Sequence, residues 1–354
     1  MDVKIFRRNS LVQVPTPATA TRRVLVLAAV AALLAGCSGE PAPDTRLIAF
    51  ARAPATNAFS DLYLLQTDGS LRRLTHGGID SMPAWSPDGR LIAFQRASRG
   101  RSVLYVTNAD GSGERVLPDG GSGPVSWSPD GRRVIFADEG RLYVTGLDWN
   151  IRILLLDPMP ARAEDPHWSP DGRRIAFALG TETQGADVYV MNADGNGRKR
   201  LTRHRPEAGW PSSPVWSPDG RRIAFLLPGS LRVMNADGSG KRVLTRFPNG
   251  ILPSSPAWSP DGRAITFASL ELGRDRRGSG IFVVETEGGE AHRLTRNIDS
   301  NPAWSPDGRQ IVFHRLTAFH VSEITLMDRD GSNQRSLTQG GWSDSTPSWR
   351  PSTD

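Results

Sequence analysis

The chain has 354 residues, a length that fits two or three ordinary domains, and a formal charge of +6. Residues 1–37 hold five of the basic residues (Lys4, Arg7, Arg8, Arg22 and Arg23) against one acid, Asp2, which leaves 38 basic and 36 acidic residues in the remainder. That near balance excludes a nucleic-acid footprint outside the leader, and no partner of that class is expected.

In chain order, the first element is an apolar run of twelve residues, VLVLAAVAALLA at 24–35, flanked by Arg22 and Arg23. It is too short for a permanent membrane span and suits a signal-peptide core. It runs into Leu34-Ala35-Gly36-Cys37, which resembles the lipobox of bacterial lipoproteins. That resemblance implies cleavage before Cys37 and acylation of this residue, and Cys37 is the only cysteine in the chain, so no disulfide competes for it. Ser38 follows, and in lipoproteins of two-membrane bacteria a residue other than Asp there permits transfer to the outer membrane. The expected division is a lipoprotein signal peptide at 1–36, a lipidated Cys with a short tether at 37–44, and one folded domain at 45–354. The location implied is the cell envelope, either the outer membrane facing the periplasm or the outer leaflet of the cytoplasmic membrane.

The folded part repeats itself. Trp85, Trp127, Trp168, Trp216, Trp258, Trp304 and Trp349 recur at a period of about 44 residues, a propeller-blade period and well above that of leucine-rich repeats. Each period carries four strand signals. The first is P-x-W-S, which SPDG turns into a second, I-A-F, because Pro, Asp and Gly meet the successive backbone demands of a tight turn. The third is an L-Y-V-like run that includes Leu62-Tyr63-Leu64, Leu104-Tyr105-Val106 and Leu231-Arg232-Val233. A Gly hairpin (NADG at Asn108, Asn192 and Asn235) leads to the fourth, R-x-L-T. The chain opens its fold on a second strand at residues 46–50 and ends on a first strand at 345–351, each supplying what the other lacks. The expectation is therefore all-β: a seven-bladed β-propeller of four-stranded antiparallel blades, with six blades as the fallback. Its ring would be closed by the C-terminal strand pairing with the N-terminal one.

The W-S-P-D-G-x-x-I-A-F signature, in six full copies and one split copy across residues 45–351, resembles the TolB-type propeller repeat. The resemblance implies an envelope protein that binds other proteins. The chain departs from TolB in lacking a preceding α/β domain, in the expected blade number and in its lipobox. TolB-like propellers also accompany serine peptidases, but no G-x-S-x-G occurs and the chain closes within three residues of its last strand motif, so hydrolase chemistry is not expected. The alternative is a metal-dependent carbohydrate-active enzyme similar to oligogalacturonate lyase. Its histidines would come from His76, His167, His204, His292, His314 and His320, which lie on different repeats without the spacing of a ligand pair. No metal and no cofactor is expected. The Asp of each SPDG (Asp88, Asp130, Asp171, Asp219, Asp261, Asp307) is read as turn chemistry, and Asp328 to Ser332 as a hairpin of the NADG kind rather than a calcium loop.

What varies between copies is the loop entering each first strand, and loops on a rigid scaffold carry recognition. The expected site is the mouth of the channel. Asp80, Asp299 and Asp344 recur three residues before a Pro in neighbouring repeats and are read as an acidic sector of the rim, with Glu164 and Asp165 nearby. Trp210 and Trp342 are read as apolar anchors. The function expected is a lipid-anchored, non-enzymatic scaffold binding an envelope protein or a peptidoglycan-associated partner, as a monomer.

Overall fold

The computed structural model describes residues 47–352 except 56–58, 67–68, 99, 118–120, 122, 148–151, 182, 184, 205–210, 248–250, 272–277 and 319. Cys37 and Trp210 therefore lie outside the described residues. Among those described there is no helix, and the strands form five four-stranded sheets and one of eight. The fold is an all-β propeller.

One sheet gives the pattern. Its order is Asp80–Trp85, Leu91–Ser98, Arg101–Asn108 and Arg115–Val116, all antiparallel. These are the four strands read from the repeat. The turn between the first two is held by Asp88, whose Oδ1 accepts from Ser86 Oγ (2.6 Å) and from Arg90 N (3.1 Å). Gly89 takes φ 63°, which a side chain would resist. Asp130, Asp171, Asp219, Asp261 and Asp307 repeat the Ser hydroxyl contact. The Ser128 hydroxyl holds Asp130 below the usual carboxylate range, and Ser169 does the same for Asp171. Asp328 closes a hairpin of the NADG kind, its main-chain carbonyl accepting Gly331 N at 2.9 Å as the Asn108 carbonyl accepts Gly111 N at 2.8 Å.

The eight-stranded sheet runs Asp299–Trp304, Gln310–Ala318, Val321–Asp328, Trp342–Trp349, Ile48–Pro54, Asp61–Leu65 and Leu71–Arg73, with Arg335–Ser336 beside Val321–Asp328. Two groups of four meet in it through one parallel pair, Ser322 and Ser343. Trp342–Trp349 pairs antiparallel with Ile48–Pro54, setting Trp349 opposite Ile48.

The core lies between sheets. Phe50, Phe94, Phe136, Phe177, Phe225, Phe267 and Phe313, one from each second strand, are at most 1% exposed. Each such burial contributes roughly 1.5–3 kcal/mol. The repeat tryptophans also bridge units. Trp85 Nε1 donates to Ser348 O, Trp127 to Ala84 O, Trp216 to His167 O, Trp258 to Val215 O, Trp304 to Ala257 O and Trp349 to Ala303 O, all at 3.0–3.2 Å. Trp168 departs from the pattern: its Nε1 is buried without a partner, while its backbone N–H donates to Ser126 Oγ at 3.0 Å.

Candidate functional site

Six inner strands break their ladder at the residue pair ending in proline. Ser81 faces Gln95 and Ala84 faces Ala93, so Met82 and Pro83 together stand opposite Phe94. In the same way Asp165-Pro166 oppose Phe177, Ser213-Pro214 oppose Phe225, Ser255-Pro256 oppose Phe267, Asn301-Pro302 oppose Phe313 and Thr346-Pro347 oppose Phe50. Proline lacks the N–H a ladder needs, so the strand absorbs it as a bulge of two residues against one. The residue before each proline pays with a left-handed backbone: φ is 53° at Met82, 50° at Asp165 and Ser213, 51° at Ser255, 52° at Asn301 and 49° at Thr346. Gly123, before Pro124, has φ 93° in the remaining unit.

Six of these seven positions converge. Apart from Gly123 they line one cavity of about 480 Å³, with the prolines, Ala84, Val125, Val215, Ala303, His167 and Ser348 completing its wall. Side chains other than Gly or Asn are costly at such φ values, and strain of this kind collects where a surface is shaped for use. The wall is mostly apolar with short polar groups set in it. Asp165 Oδ2 accepts Ser213 N from the next unit at 2.8 Å, and Asn301 Nδ2 reaches Ser255 Oγ at 3.5 Å. His167 is pushed down to about 4 by burial, which keeps its ring neutral at pH 7, and its Nδ1 has no partner. Such a surface, apolar with a few directed polar groups, is equipped for recognition.

The acidic sector needs correction. The inner strands carrying Asp299, Asp344 and Asp80 do pack side by side, but these carboxylates are 2%, 1% and 0% exposed. Asp344 is gripped by Arg52 Nε and Nη2 at 2.7 Å each, Asp80 by Arg96 at 2.6 and 2.9 Å, and Asp299 by Arg315 at 2.9 and 3.0 Å. Charges taken out of water must be paired, and these three are spent inside the protein. The paired Asp and Arg come and go together. Where the repeat has Ala163, its register partner is Leu179, and where it has Pro253, the partner is Ser269. The sequence signal for this pairing is an Arg two residues after the core Phe, and it was available beside the Asp.

Of the other expected residues, Asp165 is in the cavity wall. Glu164 adjoins it on the strand, its carboxylate 3.6 Å from Arg162 Nε. Trp342 is 37% exposed at the start of its strand, under the Arg52 guanidinium at 5.4 Å. Sequence reasoning missed Met82, Ser213, Ser255, Asn301, Thr346 and His167 as wall residues, because nothing unites their chemistry except the proline that follows five of them. The histidines stay apart. His314 Nε2 bonds Ser300 Oγ at 2.8 Å, His204 packs on Phe225, and His76, His292 and His320 are exposed. Among the described residues no three His, Cys, Asp or Glu side chains are grouped to hold a metal.

Residues 227–354 match the profile of the TolB beta propeller domain. No curated protein matches the chain in sequence. Solved structures with the same fold include TolB from Acinetobacter baumannii (18% identity, TM-score 0.57, 89% of this chain and 69% of that one). An oligogalacturonate lyase in complex with manganese is also similar (16% identity, TM-score 0.60, 81% and 83%). So is a puromycin-hydrolyzing peptidase of Mycobacterium tuberculosis, of which the match spans only 45% (17% identity, TM-score 0.58, 73% of this chain). At these identities the structural likenesses speak for fold alone. The repeat signature, the matched domain profile and the TolB structures agree: residues 227–354 carry a TolB-type propeller domain, and the described residues share the fold of the TolB structures.

Proposed function

We propose that this protein is a lipid-anchored, non-enzymatic component of the bacterial cell envelope whose propeller binds another envelope protein through the cavity at its axis. The carrying observation is the convergence of six strained, left-handed residues on one apolar wall. Catalysis by a metal on this scaffold, the lyase reading, finds no specific support in the side chains that line the cavity. Asp165, with Glu164 beside it, gives the mouth its acidic character, and Trp342 offers an apolar contact nearby; Asp80, Asp299 and Asp344 hold the rim's shape from behind.

The same reading has seven blades in a closed ring and a monomeric protein. Support for the count comes from the eight-stranded sheet, which divides into two groups of four at a single residue pair. Closure is supported by the ladder between Trp342–Trp349 and Ile48–Pro54 and by the indole bonds of Trp85 and Trp349, which run on in the same sense as those elsewhere. The lipid anchor rests on the sequence around Cys37, and with it the location at the outer membrane or at the outer leaflet of the cytoplasmic membrane.

Two measurements test the proposal. Cys37→Ala should abolish incorporation of labelled fatty acid and release the protein from the membrane fraction; retained membrane association would sink the anchor. For the cavity, Ser255→Trp and Asn301→Trp together should fill the mouth and eliminate crosslinking of envelope proteins to a photoreactive group at Met82, with an unchanged circular dichroism spectrum. Undiminished crosslinking in the filled variant would place recognition elsewhere.

A further inference from the structure

An aromatic residue stands opposite the core Phe on the third strand of most units: Tyr63 opposite Phe50, Tyr105 opposite Phe94, Tyr143 opposite Phe136 and Tyr189 opposite Phe177. Arginines cover three of these pairs and each has its carboxylate. Arg52 lies over Phe50 and Tyr63 and binds Asp344, Arg96 lies over Tyr105 and binds Asp80, and Arg152 lies over Tyr143 and binds Asp138. In the Trp216 unit the third-strand aromatic is replaced by Arg232, in register with Phe225.

Arg232 has no such partner. It is half-buried, its one hydrogen bond runs from Nε to Ser230 Oγ at 3.3 Å, and among the described residues no carboxylate is within ion-pair distance. The neighbouring strand carries two charged groups, Arg246 opposite Ser230 and Arg242 opposite Val233. Burial, and then the like charge of Arg246, hold the Arg232 guanidinium below its ordinary value. His204 packs its ring 6.0 Å from that of Phe225, and burial lowers it too, which disfavours its charged form. The acid of this region, Asp187, is already occupied: it accepts from Arg200 Nη2, from Thr202 Oγ1 at 2.8 Å and from His204 N at 2.9 Å. His204 Nδ1 stands 3.2 Å from Asp187 Oδ1 without hydrogen-bond geometry.

Arg232 and Arg246 thus lie at neighbouring positions of the strand pair with no ion-pair partner among the described residues, one of them partly withdrawn from water, where an unpaired charge is costly. Ser230, 4% exposed, accepts from Arg232 and keeps its own hydroxyl hydrogen to donate. We propose that Arg232, Arg246 and the Ser230 hydroxyl bind an oxyanion of the phosphate class, supplied as free phosphate or as a phosphate monoester. Two positive charges match a group carrying about −1.5 to −2 at pH 7, and the planar guanidinium fork matches paired phosphate oxygens. A monocarboxylate would leave one guanidinium uncompensated.

Titration calorimetry of the full chain in detergent, at constant ionic strength, tests this with inorganic phosphate, glycerol phosphate and acetate as probes. Phosphate should give saturable binding and acetate should bind at least several-fold more weakly. Arg232→Tyr restores the residue found in four other units and so suits the fold; it should weaken phosphate by roughly tenfold or more. Arg232→Lys, which keeps the charge and loses the fork, should weaken it several-fold, and Arg263→Gln on a distant turn should change nothing. Tighter binding of glycerol phosphate than of phosphate assigns the site to a monoester, and the reverse order assigns it to the free ion. Absence of saturable phosphate binding in the unaltered chain overturns the proposal. So does an undiminished response in both Arg232 variants while their melting temperatures match the parent.

Discussion

Removing the Asp344 carboxylate while leaving Arg52 in place should be among the most damaging small changes in this protein. Asp344 is 1% exposed and Arg52 7%, and the two are joined by parallel bonds of 2.7 Å. Asp344→Ala strands a guanidinium among Phe50, Tyr63 and Trp342, whose rings attract it but cannot neutralise it. Breaking a buried pair from one side costs about 3–5 kcal/mol, or roughly 6–10 °C of melting temperature at about 2 °C per kcal/mol for a domain of this size. The double change Asp344→Ala with Arg52→Leu should recover most of that loss, because the protein already uses this solution where Ala163 faces Leu179 at the same register. Urea unfolding of the parent, both single variants and the double variant yields the coupling energy directly. If the single variant loses less than about 1 kcal/mol, or if the double variant is as unstable as the sum of the singles, the pairs are not the buried fixtures described here.

Deleting residues 345–354 should lower stability by at least the ~3–5 kcal/mol typical of truncating a core Trp, since Trp349 is 8% exposed and its strand pairs with Ile48–Pro54; an unaltered melting temperature refutes closure by this strand. His167 should titrate near pH 4 by proton NMR. Because its folded value lies below the ordinary 6.5, protonation opposes folding, so its contribution to stability falls as pH drops from about 6.5 to 4; a His167→Gln variant should lose less over that window, and equal losses would argue against the assignment. Thr346→Gly should be neutral or stabilise by up to about 1 kcal/mol, because φ 49° suits glycine and Gly123 occupies the matching place; thermal unfolding that shows a loss above about 1 kcal/mol would contradict strain at this residue.

The strands, the turn role of the SPDG aspartates and the pairing of the last strand with the first were legible because repetition exposes them: one copy is ambiguous, six in alignment are not. Asp80, Asp299 and Asp344 were misplaced because an Asp near a Pro in a variable loop resembles a cap or a binding group. Only the Arg at the opposing register position reveals that the charge is internal, and that relation crosses a hairpin. The bulge residues were hidden for another reason. Met82, Asp165, Ser213, Ser255, Asn301 and Thr346 share a backbone conformation rather than a chemistry, and side-chain type carries no trace of it beyond the glycine at 123. Arg232 stood in plain view as the odd member of the L-Y-V series, but its lack of a counter-charge is a property of packing.

The missing indole bond at Trp168 has a mechanical meaning. Neighbouring inner strands are riveted through the tryptophan side chains on six joints, and at the joint between Trp127 and Trp168 the rivet is replaced by a serine hydroxyl on a strand of only two residues, Ser126–Trp127. The joint where the first and last strands meet, by contrast, is doubly fastened, by a ladder within the sheet and by an indole on either side. Under heat or tension the sheets should therefore part first between the Trp127 and Trp168 units, and a protease would find its first purchase there rather than at the ladder between Trp342–Trp349 and Ile48–Pro54.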